Sequence, residues 1–260
     1  MRAYLELVRA PAALTALGDT LVGSPTPLRG RRLLLPLASA ALYWAGMALN
    51  DWADRDLDAV ERPERPIPSG RVAPEVALAT AVGLTGVGIG LAAAAGRDAV
   101  PLTAAVWAYD AVLKDTPAGP LAMAACRGLD VLLGGRAPLP AALVALHTLG
   151  VTVLSRGEVH GTSPAVAGAV AAGTALTAVS AAVASGGRRT GVAAAVAYAA
   201  SVGRAQWAVV RDPSATTVRA ATRAGIHGVV LLQAALARHG AAIALVLPLV
   251  RALGRKVGPT

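Results

Sequence analysis

Long apolar runs recur along nearly the whole sequence, and they constrain its fold more than any other feature. A helix needs about 20 mostly apolar residues to cross a bilayer. Charged residues make up 15% of the 260 residues, whereas soluble domains usually carry about 25%. We therefore predict an all-α membrane protein built as a bundle of about nine transmembrane helices.

The breaks between the apolar runs place the predicted helices. A last apolar run at 241–253 is short for a full span and is either a tenth helix or an interfacial one. The first run carries Asp19 and lacks a small-residue cleavage site, so we interpret it as a retained helix and not as a signal peptide. The nine predicted helices cover about 3–24, 32–57, 74–95, 98–115, 118–135, 138–157, 164–186, 189–211 and 215–237.

The basic residues indicate membrane topology rather than a nucleic-acid surface. The net charge is +9, but the arginines and lysines stand at the ends of apolar runs and not in one stripe. With the N-terminus in the cytoplasm, the loops after helices 2, 4, 6 and 8 all face inside. We therefore expect a multi-pass protein of the inner (cytoplasmic) membrane, with its polar loops towards the cytoplasm and with no nucleic-acid partner.

The second apolar run ends in the string NDWADRDLD, residues 50–58. Asp51, Asp54 and Asp58 are spaced by three and four, so a helix places their carboxylates on one face, and Asn50 adds an amide beside them. Mg²⁺ prefers oxygen ligands and usually keeps positions for water and substrate phosphates. The spacing therefore predicts a metal ion bridged to a phosphate group.

A proline- and arginine-rich loop follows, with the sequence AVERPERPIPSGRV. Its prolines preclude a regular helix, while Arg62, Arg65 and Arg71 place positive charge next to the acids. This combination suits a diphosphate group. The alternative is a solvated, charged loop at a membrane surface, which would not need helically spaced acids ahead of it.

The string NDxxDxxxD followed by ERPxRPIPSG resembles the UbiA superfamily of intramembrane prenyltransferases. The resemblance implies a helical bundle around a central cavity, a single domain over residues 1–260, and Mg²⁺ holding a prenyl diphosphate donor at the cytoplasmic mouth. The positions that match the family pattern are Asn50, Asp51, Asp54, Asp58, Arg65, Pro66, Pro68, Ser69 and Gly70.

One part of the family pattern is missing. Members usually carry a second aspartate-rich motif after the sixth helix, but the corresponding stretch here is LSRGEVHG, residues 154–161, which contains no aspartate. Glu158 could still supply an oxygen ligand, and Arg156 could contact the diphosphate directly. The number of metal ions, one or two, is therefore left open.

A narrower resemblance concerns residues 109–134 together with SRGEVHG, which are similar to the EboC-like branch of the superfamily. Lys114 matches a lysine common in the YxxxLK segment. We expect Tyr109, Asp110, Lys114, Arg127 and Asp130 to contact the substrate. As an alternative, Asp110 with Lys114 and Arg127 with Asp130 could each satisfy one another, since charges inside membrane helices are functional or paired.

Other polar residues are open to more than one interpretation. Asp19 is either an acceptor-site residue or the partner of Arg9. His147 lies in an apolar stretch and is predicted to be a packed core histidine. Arg204 and Gln206 are predicted to lie at the membrane interface.

These observations predict a membrane prenyltransferase that moves a prenyl group from a polyprenyl diphosphate to an unidentified acceptor, either aromatic or hydroxylated. Two alternatives are a non-catalytic prenyl-lipid carrier with the same fold, and a phospho-alcohol phosphotransferase. The latter needs Asp-Gly and Ala-Arg pairs that NDWADRDLD lacks. The predicted catalytic residues are Asp51, Asp54, Asp58, Lys114, Arg156 and Glu158. The predicted metal ligands are Asn50, Asp51, Asp54, Asp58 and Glu158. The predicted substrate-binding residues are Asn50, Arg65, Ser69, Tyr109, Asp110, Arg127 and Asp130.

Overall fold

The computed structural model describes residues 2–238 and 243. Within these residues the chain forms helices and no strands, so the predicted all-α fold is confirmed. The predicted run at 241–253 lies outside the described residues except for position 243. The helices are α1 Arg2–Leu7, α2 Leu14–Gly23, α3 Leu34–Ala53, α4 Arg55–Glu61, α5 Pro74–Ala94, α6 Val100–Ala108, α7 Gly119–Gly134, α8 Pro138–Ser155, α9 Pro164–Ala184, α10 Arg189–Tyr198, α11 Arg204–Arg211 and α12 Ala215–Leu236.

Four segments of the described chain are long and apolar enough to cross a membrane. They are Gly30–Ala53, which includes α3, and the helices α5, α8 and α9. Large apolar side chains on these helices face outward: Val82 is 54% exposed, Leu176 is 60% exposed and Val179 is 63% exposed. Lipid tails accept such a surface, whereas water does not. The outward faces therefore support a multi-pass membrane protein.

Loops that carry the polar motifs meet at one end of the bundle. The Arg156 guanidinium after α8 donates a hydrogen bond to the Thr116 carbonyl before α7. The Thr162 amide before α9 donates to the Pro213 carbonyl before α12 at 3.0 Å. The chain therefore returns to the same end after every second crossing, as the predicted helix order requires.

The loop before α12 is fixed by a local hydrogen-bond network. The hydroxyls of Thr217 and Ser214 donate to the Asp212 carboxylate at 2.7 and 3.1 Å. These bonds, that of Thr217 first, hold the pKa of Asp212 below its usual range. Because the folded-state pKa is lowered, this contribution to loop stability is present above the unfolded pKa and is lost as the pH falls through the folded pKa.

The predicted first helix is not continuous. It is divided into α1, a 3₁₀ turn at Ala10–Ala13 and α2. The break lies at Arg9, whose φ of 45° is in the left-handed region that non-glycine residues rarely adopt. Such a conformation costs roughly 1–3 kcal/mol and persists where surrounding contacts hold it. The contacts of the Arg9 side chain, described below, explain why it persists here.

The predicted second helix ends at Ala53 and restarts as α4 after Asp54. Two backbone hydrogen bonds of helical type cross this junction, from the Asp54 amide to the Asn50 carbonyl at 2.9 Å and from the Asp58 amide to the Asp54 carbonyl at 2.8 Å. The junction therefore keeps the acids in helical register even though the helix is interrupted there.

Two helical stretches contain a π-helical turn. Tyr109–Leu113 follows α6 directly, and Ala199–Gly203 joins α10 to α11. A π-helical turn inserts one extra residue into an α-helix and is often found at functional sites. The first of these turns carries Asp110, which is 3% exposed and lines the cavity described below.

Helices α2 and α7 approach each other through glycines. A Cβ atom on Gly23 would lie 1.8 Å from the Val131 carbonyl oxygen, and one on Gly134 would lie 2.1 Å from the Thr20 carbonyl oxygen. Small residues allow membrane helices to pack closely when lipid supplies no hydrophobic driving force between them. The α2–α7 contact therefore depends on these two glycines.

We expect Gly134→Ala to destabilise the protein by about 1–3 kcal/mol, because the added methyl group must displace backbone atoms of α2. Thermal unfolding of the purified protein in detergent measures this effect. Gly173→Ala in α9 is the matched control, since no atom lies within 4 Å of the added Cβ and alanine favours a helix over glycine. Equal losses for both variants would contradict this account of the α2–α7 contact.

Candidate active site

Two of the motif acids are buried and face arginines. Asp51 and Asp58 are 4% and 3% exposed. Arg65 Nη1 lies 2.5 Å from Asp58 Oδ2 and 3.5 Å from Asp51 Oδ1. Arg9 Nη2 lies 3.0 Å from the same oxygen of Asp51. Since one guanidinium reaches both acids, Asp51 and Asp58 share a face, as their spacing predicts.

The loop after α4 holds Arg65 in place. Ser69 Oγ donates to the Arg65 carbonyl at 2.6 Å and accepts from Arg71 Nε at 2.9 Å. Gly70 has a φ of +72°, which favours glycine at this turn. Ser69, predicted as a substrate-binding residue, therefore stabilises the loop that positions Arg65.

Asp54 faces a different cation. It forms an ion pair with Lys114 Nζ, and its Oδ2 accepts a hydrogen bond from Asn50 Nδ2 at 3.1 Å. Asp110 lies beside this group, with Asn50, Asp54 and Lys114 among its neighbours. Lys114 therefore forms its ion pair with Asp54, at the junction between α3 and α4, while Asp110 is near enough to Lys114 to interact with its charge.

The stretch after α8, residues 156–161, contributes Arg156 and Glu158 to the same end of the bundle. Arg156 donates to the Thr116 carbonyl and, at 3.4 Å, to the Lys114 carbonyl, so it lies next to the turn that carries Lys114. Glu158 accepts at its backbone carbonyl from Arg219 Nη1 at 2.6 Å. Within residues 2–238 and 243 its carboxylate forms no hydrogen bond or ion pair. Its predicted role as a metal ligand stays a prediction.

Arg127 and Asp130 do not pair with each other. Arg127 Nε lies 3.0 Å from Asp19 Oδ2, and Asp130 Oδ2 accepts from Ser39 Oγ at 2.6 Å. Asp19 also accepts from Gln233 Nε2 at 2.6 Å. The alternative of an Arg127–Asp130 pair is therefore wrong, and so is the suggested partnership of Asp19 with Arg9. The sequence spacing misleads because partners on other helices are closer.

Two further predictions have opposite outcomes. His147 is buried, with Nδ1 2.9 Å from the Tyr198 hydroxyl and Nε2 3.2 Å from the Gly225 carbonyl oxygen. It is a packed core histidine, as predicted. Gln206 is 1% exposed and points into the bundle, so its predicted interfacial position is wrong. Arg204 is exposed, and its position at the membrane interface stays a prediction.

A cavity of about 80 Å³ begins beside Asp110 and extends into the bundle between α3, α6 and α7. Most of its wall is apolar. At its outer end Asp110 lies beside Asn50, Asp54 and Lys114, so the cavity opens towards the acids and cations of the motif. Its lining residues are Ser39, Leu42, Tyr43, Gly46, Met47, Leu102, Val106, Tyr109, Asp110, Met123, Cys126, Arg127 and Asp130.

The oxygen donors at the mouth fit Mg²⁺ by their chemistry. Asn50, Asp51, Asp54 and Asp58 supply amide and carboxylate oxygens at the end of α3. In the described part of the chain, no group of three or more acidic, histidine or cysteine side chains converges on one point. Mg²⁺ is typically bound through one or two carboxylates, with water and substrate phosphates as its other ligands. The donor set therefore suits Mg²⁺ held together with a phosphate group.

Three residues of this arrangement were missed by the sequence analysis. Arg9 pairs with Asp51, Ser39 with Asp130, and Gln233 with Asp19. Gln233 interrupts the apolar run VVLLQAAL, and a polar side chain in such a run indicates an internal partner. Ser39 gives no comparable signal because small residues are common throughout the helices.

Comparison with curated proteins finds several relatives that carry the same name. Curated relatives include digeranylgeranylglyceryl phosphate synthases of Methanopyrus kandleri, 40% identical over 126 residues (45% of this chain and 46% of the relative), and of Natronomonas pharaonis, 35% identical over 150 residues (53% of each). The chain thus spans about half the length of the curated relatives it matches. Their names favour a branch other than the EboC-like one.

Solved structures share the fold. A structure from work on digeranylgeranylglyceryl phosphate synthase in membranes has a TM-score of 0.65 at 18% identity, covering 89% of this chain and 95% of its own. A UbiA homolog from Archaeoglobus fulgidus, bound to DMAPP and Mg²⁺, has a TM-score of 0.59 at 14% identity, covering 88% and 98%. The UbiA prenyltransferase family profile matches residues 12–255. The matched range covers almost the entire sequence, and the chain therefore belongs to the UbiA prenyltransferase family.

Proposed function

We propose that this chain transfers a prenyl group from a prenyl diphosphate to a hydroxylated small molecule at the cytoplasmic face of the inner membrane. One observation carries the proposal: buried acids paired with Arg9, Arg65 and Lys114 stand at the mouth of an apolar cavity. The mouth suits a diphosphate and the cavity suits a hydrocarbon tail. We also propose that residues 1–260 act as a single domain.

The cations at the mouth bind the donor. Arg9, Arg65 and Lys114 each neutralise a carboxylate, and each can instead donate hydrogen bonds to phosphate oxygens, which are strong charge-assisted acceptors. Asn50, Asp51, Asp54 and Asp58 would hold Mg²⁺, which supplies positive charge to the departing diphosphate.

The reaction follows from this placement. The bond between C1 of the prenyl group and the diphosphate oxygen breaks, and its electron pair leaves with the diphosphate. C1 becomes positive inside the cavity, where the aromatic rings of Tyr43 and Tyr109 line the wall and can stabilise a cation. An acceptor hydroxyl oxygen then bonds to C1 and releases its proton.

The acceptor is proposed to be an alcohol that carries a phosphate. The names of the relatives describe a prenylated glyceryl phosphate. Arg156 is exposed at the mouth beside Lys114 and could bind such a phosphate. An aromatic hydroxyl compound is the second candidate acceptor.

A turnover assay tests the proposal. The purified protein in lipid nanodiscs is mixed with labelled prenyl diphosphates, Mg²⁺, and either glyceryl phosphate or a hydroxylated aromatic acid. Labelled prenyl ether that accumulates only with the phosphate-bearing alcohol is the expected result. Product with the aromatic acceptor alone would overturn the acceptor assignment. Tight donor binding with no product from either acceptor would favour the non-catalytic carrier.

A further inference from the structure

The cavity has a polar inner end that the proposed chemistry at its mouth does not use. On α3 its wall runs inward from Met47 to Ser39, and on α7 it runs inward from Met123 to Asp130. At the inner end Ser39 Oγ donates to Asp130 Oδ2 at 2.6 Å. This hydrogen bond joins α3 to α7 across the bottom of the cavity.

Contacts with α2 and α12 stabilise the inner end of the cavity. Arg127 also lines the cavity, and its Nε lies 3.0 Å from Asp19 Oδ2 on α2. Gln233 on α12 donates to the other oxygen of Asp19 at 2.6 Å. Asp19 is fully buried. We call the group Ser39, Asp130, Arg127 and Asp19 the polar floor. Its hydrogen bond and ion pair link α2, α3 and α7, so a ligand cannot easily displace it.

Packed apolar residues lie beyond the polar floor. Leu35 and Ala38 on α3 are fully buried, and Leu133 on α7 is 4% exposed. The three belong to one buried cluster. The bundle therefore continues as solid core below the floor, and in this direction the cavity ends there.

The depth of the cavity follows from helix geometry. Ser39 lies eight positions before Met47, the outermost cavity residue on α3, and eleven before Asn50 at the mouth. These separations correspond to about 12 and about 16 Å at the helical rise per residue. An extended peptide spans about 3.5 Å for three backbone bonds, so the four-bond main chain of one isoprene unit spans about 5 Å. About three extended units fit between the mouth and the floor.

We propose that the polar floor restricts the donor to three isoprene units, a farnesyl group. This inference rests on the proposed function, since it assumes that the prenyl tail occupies the cavity. A geranylgeranyl tail is one unit longer and must either bend back or separate Ser39 from Asp130. Separating them leaves a buried carboxylate without its hydrogen bond, which is unfavourable in a membrane interior.

Competition binding to the protein in nanodiscs tests the limit with geranyl, farnesyl and geranylgeranyl diphosphates. We expect the wild-type protein to bind the farnesyl donor at least about tenfold more tightly than the geranylgeranyl donor. Asp130→Ala removes side-chain volume from the inner end and so lengthens the cavity. It leaves Arg127 paired with Asp19, so the variant should fold. In this variant we expect the preference to fall to about twofold or less.

Two controls separate cavity shape from other effects. Asp130→Asn keeps the volume of the side chain and should retain the wild-type preference. Val106→Ala removes volume from the side wall near the mouth, where Val106 packs close to Gly46, and should also retain it. If the polar floor affects stability alone, the two Asp130 variants should unfold at lower temperatures. All three variants should then keep the wild-type preference for the farnesyl donor.

The outcomes distinguish this inference from the proposed function. Equal binding of the farnesyl and geranylgeranyl donors by the wild-type protein overturns the length limit and leaves the proposed function standing. An unchanged preference in Asp130→Ala does the same. Failure to bind a donor of any length, in protein that unfolds cooperatively, overturns the proposed function itself.

Discussion

Asp54→Ala should lower prenyl transfer by at least about 10²–10³-fold, the usual effect of removing one group that stabilises transition-state charge. Asp54 is the partner of both Lys114 and Asn50. Its loss removes a proposed oxygen ligand for Mg²⁺ and leaves the buried ammonium group of Lys114 without its ion-pair partner. Initial rates of product formation at saturating Mg²⁺ measure the effect.

Asp56→Ala is the matched control for this prediction. The Asp56 side chain is 88% exposed and lies 3.7 Å from Arg55 at the surface of α4. It carries the same charge two positions away but does not face the cavity. We expect its activity to stay within about twofold of the wild type, since exposed ion pairs contribute little. Equal losses in the two variants would show that the charge of the motif matters and that its geometry does not.

Arg127→Met should produce the largest loss of stability. The substitution keeps most of the side-chain volume but leaves Asp19 buried without its cationic partner, next to Asp130. Removing one member of a buried ion pair typically costs about 3–5 kcal/mol. Thermal or denaturant unfolding in detergent measures the change. Arg136→Met is the control, because Arg136 is exposed in the loop between α7 and α8.

A second substitution tests the cause of that loss. Asp19→Asn removes the unpaired charge while keeping an acceptor for Gln233, so Arg127→Met combined with Asp19→Asn should recover much of the stability. The two residues are in direct contact, so their effects should be strongly non-additive. Additive losses would mean that Arg127 stabilises the bundle through packing and not through its charge.

The helical bundle could be predicted from the sequence because a bilayer imposes a simple length rule on apolar runs. Helices α5, α8 and α9 begin and end close to the predicted positions. The interruptions could not be predicted in the same way. The π-helical turn at Tyr109–Leu113 and the left-handed Arg9 depend on contacts with other helices, which hydropathy does not record.

The site could be predicted only where its geometry depends on positions that are close in the sequence. The spacing of Asp51 and Asp58 is local information, and so is the positive charge expected beside them, which Arg65 supplies by reaching both acids. The partner of a charge in a membrane bundle is decided by which helices are neighbours. Sequence spacing therefore suggested Asp130 for Arg127, whereas the bundle supplies Asp19 from α2.

The replacement of the second aspartate motif by SRGEVHG has a structural counterpart. Arg156 lies against the turn that carries Lys114, so the segment where the family resemblance leads us to expect acids brings a cation to the mouth. A guanidinium there would contribute positive charge to a bound diphosphate without a metal ion. This placement agrees with a site that needs fewer carboxylate ligands.

Mg²⁺-dependent binding of farnesyl diphosphate tests the central claim most directly. Isothermal titration of the protein in nanodiscs, with Mg²⁺ and then with excess chelator, compares the wild type with Asp54→Ala and Asp56→Ala. The account predicts binding by the wild type and Asp56→Ala that requires Mg²⁺, and a large loss of binding in Asp54→Ala. Binding of equal strength in all three proteins, with or without Mg²⁺, would contradict it.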